Sequence, residues 1–121
     1  MKKILLLEDE KILAEFYKKH LEAKNYEVIL RHTIDEATKA IESINPDLAI
    51  IDHGIDGEKI TGIDFVPILK NKCKDTIVIM LSNYSHQELR EKASSVGVQD
   101  FLVKLNTSPR ALADYVENLF T

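Results

Sequence analysis

The sequence predicts an α/β fold in which five parallel strands form one sheet with helices packed on both of its faces. Short apolar runs alternate along the chain with longer stretches whose apolar residues recur at helical spacing. The apolar runs are solid and do not alternate with polar residues, which is typical of strands buried on both faces of a parallel sheet. Five such strand–helix units therefore indicate a doubly wound sheet.

Each predicted strand is marked by its own apolar run. The solid runs cover residues 4–7, 48–51, 77–81 and 101–103, and a weaker one covers residues 26–30. Allowing for a polar residue or two at each end, the strands are expected near residues 2–7, 26–31, 47–52, 76–82 and 99–104.

Capping signals place the helices between these strands. Thr33 with Glu36, and Ser85 with Glu88, have the spacing of capping boxes, which satisfy backbone N–H groups at a helix start. Gly97 is typical of a helix end. The five helices are expected near residues 10–23, 33–44, 61–73, 85–96 and 108–120.

Composition excludes several classes of protein. The chain has 121 residues and a hydrophobic content of 45%, which fits one globular domain over residues 1–121. Its formal charge of −4 argues against direct binding of nucleic acid. The first apolar run stops at Glu8, short of the core of a signal sequence, and no run is long enough to cross a membrane. Cys73 is the only cysteine, which suits a reducing, cytoplasmic setting.

Polar side chains stand at the carboxyl ends of four predicted strands. Glu8 and Asp9 follow the first strand, Asp52 ends the third, Ser82 ends the fourth and Lys104 ends the fifth. Ligands of open α/β sheets bind outside these strand ends. We therefore expect these distant residues to meet at one edge of the sheet.

The chemistry of this group indicates a cation and a phosphate. Two carboxylates about 4 Å apart repel by about 4 kcal/mol at an effective dielectric of about 20, so a cluster of three favours a hard cation such as Mg²⁺, Ca²⁺ or Mn²⁺. Lys104 adds a positive charge suited to phosphate oxygens, and the Ser82 hydroxyl can donate a hydrogen bond. Asp52 in such surroundings is equipped to attack a phosphoryl group.

The order and spacing of these residues resemble the receiver domain of two-component response regulators, over essentially the whole chain. The motifs are Leu-Leu-Glu-Asp-Glu at 6–10, Asp-Leu-Ala-Ile-Ile-Asp at 47–52, Ile-Val-Ile-Met-Leu-Ser at 77–82 and Asp-Phe-Leu-Val-Lys at 100–104. The resemblance implies a flavodoxin-like sheet with strand order 2-1-3-4-5.

The resemblance also implies a reaction. Asp52 would be phosphorylated by a histidine kinase or a histidine phosphotransfer protein in the presence of Mg²⁺, or of Mn²⁺ in its place. Asp9 and Asp52 would bind the metal directly, Glu8 would bind it through water, and the carbonyl of Gly54 would complete the protein ligands. The domain would catalyse its own phosphorylation and dephosphorylation, with no separate turnover reaction.

The same resemblance implies a switch. Lys104 would pair with the phosphoryl group, and Ser82 would turn inward onto it, coupled to Phe101 as the switch aromatic. The surface around the fourth helix, fifth strand and fifth helix would then change for a downstream protein partner. No output domain follows within these 121 residues, so we expect output through a partner, onward phosphotransfer or a longer parent chain.

Some positions depart from the family pattern. Asp56 stands where a proline is usual, and Gly62 comes two residues later than the family's glycine, which predicts a two-residue insertion in the loop before it. Leu105 follows Lys104 where a cis proline is usual. We expect either a trans bond with a rearranged 104–108 loop or a strained cis bond, which costs roughly 3 kcal/mol without proline.

Other functions fit the sequence less well. A pseudo-receiver, an interaction module that is not phosphorylated, is the main alternative and would not need the full set of polar residues. A flavodoxin-like electron carrier would need a phosphate-binding loop where Glu8 and Asp9 stand, and their charge is wrong for bare phosphate. A phosphatase of the haloacid dehalogenase type would need a second aspartate at the position of Gly54.

Overall fold

Five strands form one parallel sheet in the order β2-β1-β3-β4-β5 in the computed structural model, which describes residues 1–54, 61–83 and 87–121. The strands are β1 (Lys3–Leu7), β2 (Glu27–Arg31), β3 (Leu48–Asp52), β4 (Ile77–Ser82) and β5 (Asp100–Val103). The predicted flavodoxin-like fold is therefore confirmed. Asp56, most of the predicted loop insertion and the capping residue Ser85 lie outside the described residues.

Five α-helices connect and cover the strands within the described part of the chain. They are α1 (Lys11–Glu22), α2 (Ile34–Ala40), α3 (Gly62–Lys72), α4 (Gln87–Ser95) and α5 (Pro109–Phe120). The second helix is shorter than predicted. The N–H groups of Glu42 and Ser43 bond to carbonyls three residues back, in a tighter turn that ends the helix before Pro46.

The alternation of side chains along each strand divides the core into two layers. Leu5 and Leu7 face one layer, which is covered by α2, α3 and α4, whereas Ile4 and Leu6 face the other, which is covered by α1 and α5. Every position of β3 is buried. The solid apolar runs of the sequence thus correspond to strands covered on both faces. No helix in the described residues is both long enough and apolar enough to span a membrane.

The connection after β5 takes the trans form of the two conformations expected. Lys104–Asn106 form a single 3₁₀ turn, and every described peptide bond is trans. The turn is closed by Thr107, whose N–H donates to the Lys104 carbonyl at 3.2 Å and whose hydroxyl donates to the Val103 carbonyl at 2.8 Å. Lys104 is therefore the first residue of this turn, and β5 ends one residue earlier than predicted.

Gly62 begins α3 in close contact with the end of β3. A Cβ atom on Gly62 would lie 2.5 Å from the carbonyl oxygen of Asp52 and 2.9 Å from the Cα of His53. The Gly62 N–H also donates to the His53 carbonyl at 3.3 Å. Only glycine fits this approach, so the residue helps to fix the backbone that carries Asp52.

Gly62→Ala is expected to lower the free energy of unfolding by about 1–3 kcal/mol, because the added methyl group must displace backbone atoms. Urea denaturation followed by circular dichroism measures this. Gly54→Ala is the matched control, since a Cβ there meets no atom of the described residues within 4 Å. Equal stability of the two variants would show that the contact at Gly62 is easily relaxed.

Candidate functional site

Three carboxylates from two central strands meet at the carboxyl edge of the sheet. Glu8 and Asp9 follow β1, and Asp52 ends the neighbouring strand β3. One oxygen atom of each residue lies within 4.8 Å of the others. Glu8 and Asp52 are buried, and Asp9 is half-buried. The structure thus brings together the acidic residues that the sequence placed at strand ends.

Lys104 reaches this cluster from the edge of the sheet. Its ammonium lies 2.8 Å from Oε1 of Glu8 and 3.2 Å from Oδ2 of Asp52, and its side chain is only 11% exposed. Because β4 lies between β5 and β3, the lysine side chain must pass over one strand to make these contacts. A long, flexible side chain is suited to that span.

The remaining carboxylate oxygens of these pairs bond to the backbone. Oε2 of Glu8 accepts the N–H of Glu10 at 3.1 Å, and Oδ1 of Asp52 accepts the N–H of Gly54 at 3.2 Å. Each carboxylate therefore contacts the ammonium through one oxygen and a nearby turn through the other. This arrangement holds both side chains in fixed orientations.

Burial makes the negative charge of this cluster costly. It raises the pKa of Glu8 to about 8, and the nearby charge of Asp52 acts in the same direction against the lowering effect of Lys104. Burial also raises the pKa of Asp52, although Lys104 opposes this, and the adjacent Asp9 carboxyl adds to the rise. One ammonium thus compensates three carboxyl groups incompletely.

The carboxylates in turn raise the pKa of Lys104. Burial acts to lower the pKa of its ammonium, but the hydrogen bond to Glu8 and the charge of Asp52 outweigh burial and raise it. The lysine is therefore held in its charged form. All-oxygen donors with excess negative charge are the ligands that a hard divalent cation prefers, so the residues present fit the metal that the sequence predicted.

The two predicted switch residues lie inside the fold. Ser82 ends β4 one residue beyond Leu81, which is the register partner of Asp52 on β3, and is buried with 1% exposure. Phe101 packs in the core with 8% exposure, and the guanidinium carbon of Arg90 on α4 lies 4.9 Å from the centre of its ring. This cation–π contact covers the outer face of the aromatic side chain.

Two residues near the site were not predicted from the sequence. Tyr17 on α1 is buried, and burial together with the charge of Glu8 raises its pKa to about 12. His32, just after β2, lies with its ring Nδ1 2.9 Å from the carbonyl oxygen of Glu8. Neither has a signal in the sequence, since both contacts arise from how α1 and β2 pack against β1.

Comparison with known proteins identifies related sequences. The sequence model of a family described as "Response regulator receiver domain" matches residues 4–117. The phosphate regulon transcriptional regulatory protein PhoB of Rhizobium meliloti (strain 1021) is 31% identical over 115 residues, covering 92% of this chain and 49% of that protein. A protein-glutamate methylesterase/protein-glutamine glutaminase of Bradyrhizobium diazoefficiens is 35% identical over 80 residues, covering 64% of this chain and 20% of that protein. The chain therefore spans between about a fifth and about half of the length of these relatives.

Solved structures agree with the fold. A CheY-like response regulator receiver domain protein from Methanospirillum hungatei JF-1 has a TM-score of 0.89 at 23% identity, covering 98% of this chain and 93% of that chain. The receiver domain of the Francisella response regulator 1452 has a TM-score of 0.86 at 28% identity, covering 99% of this chain and 97% of that one.

Proposed function

Because the chain belongs to the response regulator receiver domain family, we propose that it is a phosphoacceptor whose Asp52 receives a phosphoryl group from a histidine kinase or a histidine phosphotransfer protein. The reaction depends on Mg²⁺, with Mn²⁺ as a substitute. Residues 1–121 act as one receiver domain. The observation that carries this proposal is the pairing of the buried Asp52 with Lys104 beside two further carboxylates.

The contacts of Asp52 suit it to nucleophilic attack. Its Oδ1 and Oδ2 accept from the Gly54 N–H and the Lys104 ammonium, so the carboxylate is oriented before a donor arrives. In the transfer, one carboxylate oxygen forms a bond to phosphorus as the bond from phosphorus to the donor histidine nitrogen breaks. The electron pair of that bond leaves with the imidazole. Lys104 lies where it can pair with the incoming phosphoryl oxygens.

The acidic cluster supplies the metal ligands. Asp9 and Asp52 would hold Mg²⁺ directly, the Gly54 carbonyl would add a third protein oxygen, and Glu8 would act through water. When bound, the ion neutralises charge on the transferred oxygens. The excess negative charge of the cluster supports this assignment, because burial already raises the pKa of both Glu8 and Asp52.

Ser82 and Phe101 would transmit a conformational change from phosphorylated Asp52 to the surface of the domain. We assign Ser82 to the hydroxyl that turns onto the phosphoryl group and Phe101 to the aromatic that moves with it. Receiver domains of this family interact with kinases and with downstream effectors, and the surface of α4, β5 and α5 would carry that change here. The contact of Arg90 with the Phe101 ring supports a link between α4 and β5.

A pseudo-receiver remains the second candidate, but the complete set of polar residues disfavours it. Acetyl phosphate, a small phosphoryl donor, separates the two functions without a kinase. With Mg²⁺ present, intact-mass analysis is expected to show one added phosphoryl group, and with EDTA it is expected to show none. An unchanged mass in both conditions, together with no response to beryllofluoride and Mg²⁺, would favour the pseudo-receiver.

Asp9→Asn is expected to raise the free energy of unfolding relative to the wild type without metal, and to lower it relative to the wild type with metal. In EDTA the variant should be more stable by about 1 kcal/mol, because the substitution removes the repulsion between the Asp9 carboxylate and its neighbouring carboxylate Asp52. Mg²⁺ at about a hundredfold excess over its Kd should stabilise the wild type by about 2.7 kcal/mol, and the variant by much less. Urea denaturation in the two buffers measures both effects. A variant destabilised in EDTA would contradict the proposed repulsion.

An exposed apolar surface on α1 is suited to the phosphoryl donor. Ile12 is 74% exposed and Phe16, which the helical spacing had grouped with the core-facing residues, is 52% exposed. They line a shallow groove of about 540 Å³ with Lys11, Lys19 and two glutamates. Since α1 starts directly after the acidic cluster, we assign this groove to the helix that carries the donor histidine.

Ile12→Ala is expected to slow phosphotransfer from a phosphorylated histidine kinase several-fold, because it removes an apolar contact of the groove. The reaction with acetyl phosphate should keep its wild-type rate, since Asp52 and Lys104 are unchanged. Purified kinases would first be tested for one that phosphorylates the wild type. An unchanged rate with that kinase would remove Ile12 from the docking surface.

A further inference from the structure

Glu8 is held by two hydrogen bonds from the same neighbouring turn. Its backbone N–H donates to the carbonyl of Arg31 at 3.0 Å. Its backbone carbonyl lies 2.9 Å from Nδ1 of His32. Both partners belong to the segment in which β2 passes into α2, so this segment contacts the backbone of Glu8 on both sides.

The direction of the second bond is fixed by its acceptor. A carbonyl oxygen only accepts hydrogen bonds, so the imidazole must carry a proton on Nδ1. The backbone of this half-buried residue is anchored as well, because the backbone N–H of His32 donates to Oε1 of Glu36 at 3.0 Å. Glu36 forms the capping box of α2 with Thr33. The start of α2 thus holds the histidine that contacts Glu8.

The carbonyl of Glu8 belongs to the peptide group that leads into Asp9. Rotation of that peptide plane would move the Asp9 side chain relative to Asp52, and the hydrogen bond from His32 opposes such a rotation. Removing a group that orients the ligands of a metal ion weakens binding of the ion, by about 10- to 100-fold where the group bonds to a ligand side chain directly. The bond therefore bears on the geometry of the whole acidic cluster.

We propose that His32 is a positioning residue for the cation site, acting through the hydrogen bond from its Nδ1 to the Glu8 carbonyl. This inference rests on the proposed function, since it concerns the same acidic cluster. Loss of the donor is expected to weaken binding of a divalent cation about fivefold, as for one net hydrogen bond. The side chain itself contacts neither the cation nor the phosphoryl group.

The test titrates each protein with Mn²⁺ and follows the free ion by electron paramagnetic resonance, so no phosphorylation is needed. His32→Leu removes the donor while keeping an apolar side chain of similar size. His32→Asn keeps an N–H near the position of Nδ1. We expect about fivefold weaker binding by the leucine variant and binding within twofold of the wild type by the asparagine variant.

His20→Leu is the matched control. Nδ1 of His20 also lies 2.9 Å from a backbone carbonyl, that of Phe16 on α1, but it does not contact the acidic cluster. This variant should keep the wild-type affinity. If all three variants lose affinity equally, or if His32→Leu binds like the wild type, the inference is overturned.

Two further results separate this inference from the proposed function. A wild type that binds no Mn²⁺ would overturn the proposed metal site together with the inference. Wild-type binding with no effect of His32→Leu would overturn the inference alone. A long-range ¹H–¹⁵N spectrum of the unmutated protein should show a proton on Nδ1 of His32. A neutral ring protonated only on Nε2 would overturn the inference even if a variant failed to fold.

Discussion

Asp52→Asn is expected to abolish phosphorylation by acetyl phosphate in the presence of Mg²⁺. An amide is a far weaker nucleophile than a carboxylate, and the substitution also removes one of the proposed metal ligands. Because the amide is nearly the same size and can still accept the N–H of Gly54, we expect the variant to fold. Intact-mass analysis against the wild type gives the result directly.

Asp35→Asn is the control for this experiment. Asp35 is exposed on α2 and forms a surface ion pair with Lys39, so its loss should leave the reaction unchanged. Persistent labelling of Asp52→Asn, at a site that peptide mapping places elsewhere, would show that another residue is the acceptor. The geometry of the acidic cluster would then need another explanation.

Lys104→Met is expected to lower the free energy of unfolding by about 3 kcal/mol at neutral pH in EDTA. The substitution keeps an unbranched side chain only one atom shorter, but leaves the buried Glu8 and Asp52 without their cation. Phosphorylation should also slow, because the proposed charge on the phosphoryl oxygens is no longer balanced. Urea denaturation in EDTA and in excess Mg²⁺ should show a smaller loss with the metal.

Lys24→Met is the matched control for the lysine. Lys24 also contacts two carboxylates, Asp114 at 2.8 Å and Glu117 at 3.1 Å, but these partners are about half exposed. Ion pairs in such surroundings contribute little to stability. Equal destabilisation by the two substitutions would contradict the view that burial gives the Lys104 contacts their strength.

The sequence predicted the fold because its strands are buried on both faces. Such strands require solid apolar runs, which are visible without any knowledge of their partners. The predicted end of α2 was wrong for a local reason. Ile41 and Ile44 continue the helical spacing, but the chain turns after Ala40 ahead of Pro46, and periodicity alone does not register that turn.

The site was predictable only in part. Glu8, Asp52 and Lys104 stand at strand ends, so the topology of a parallel sheet is enough to bring them together. The contact of His32 with Glu8 depends on the register between β1 and β2 and on a ring orientation, neither of which has a sequence signal. The metal, the phosphoryl acceptor and the switch stay predictions that the experiments above test.

The contact of the Lys104 ammonium with the acidic cluster gives the edge strand β5 a second attachment to the sheet. Within the described residues, β5 pairs only with β4, yet the lysine that follows it is anchored at the centre of the sheet. A new anion on Asp52 would compete for the same ammonium and draw it away from Glu8. A new anion at the centre of the sheet would thereby change how strongly the edge strand β5 is held, without any movement of β4.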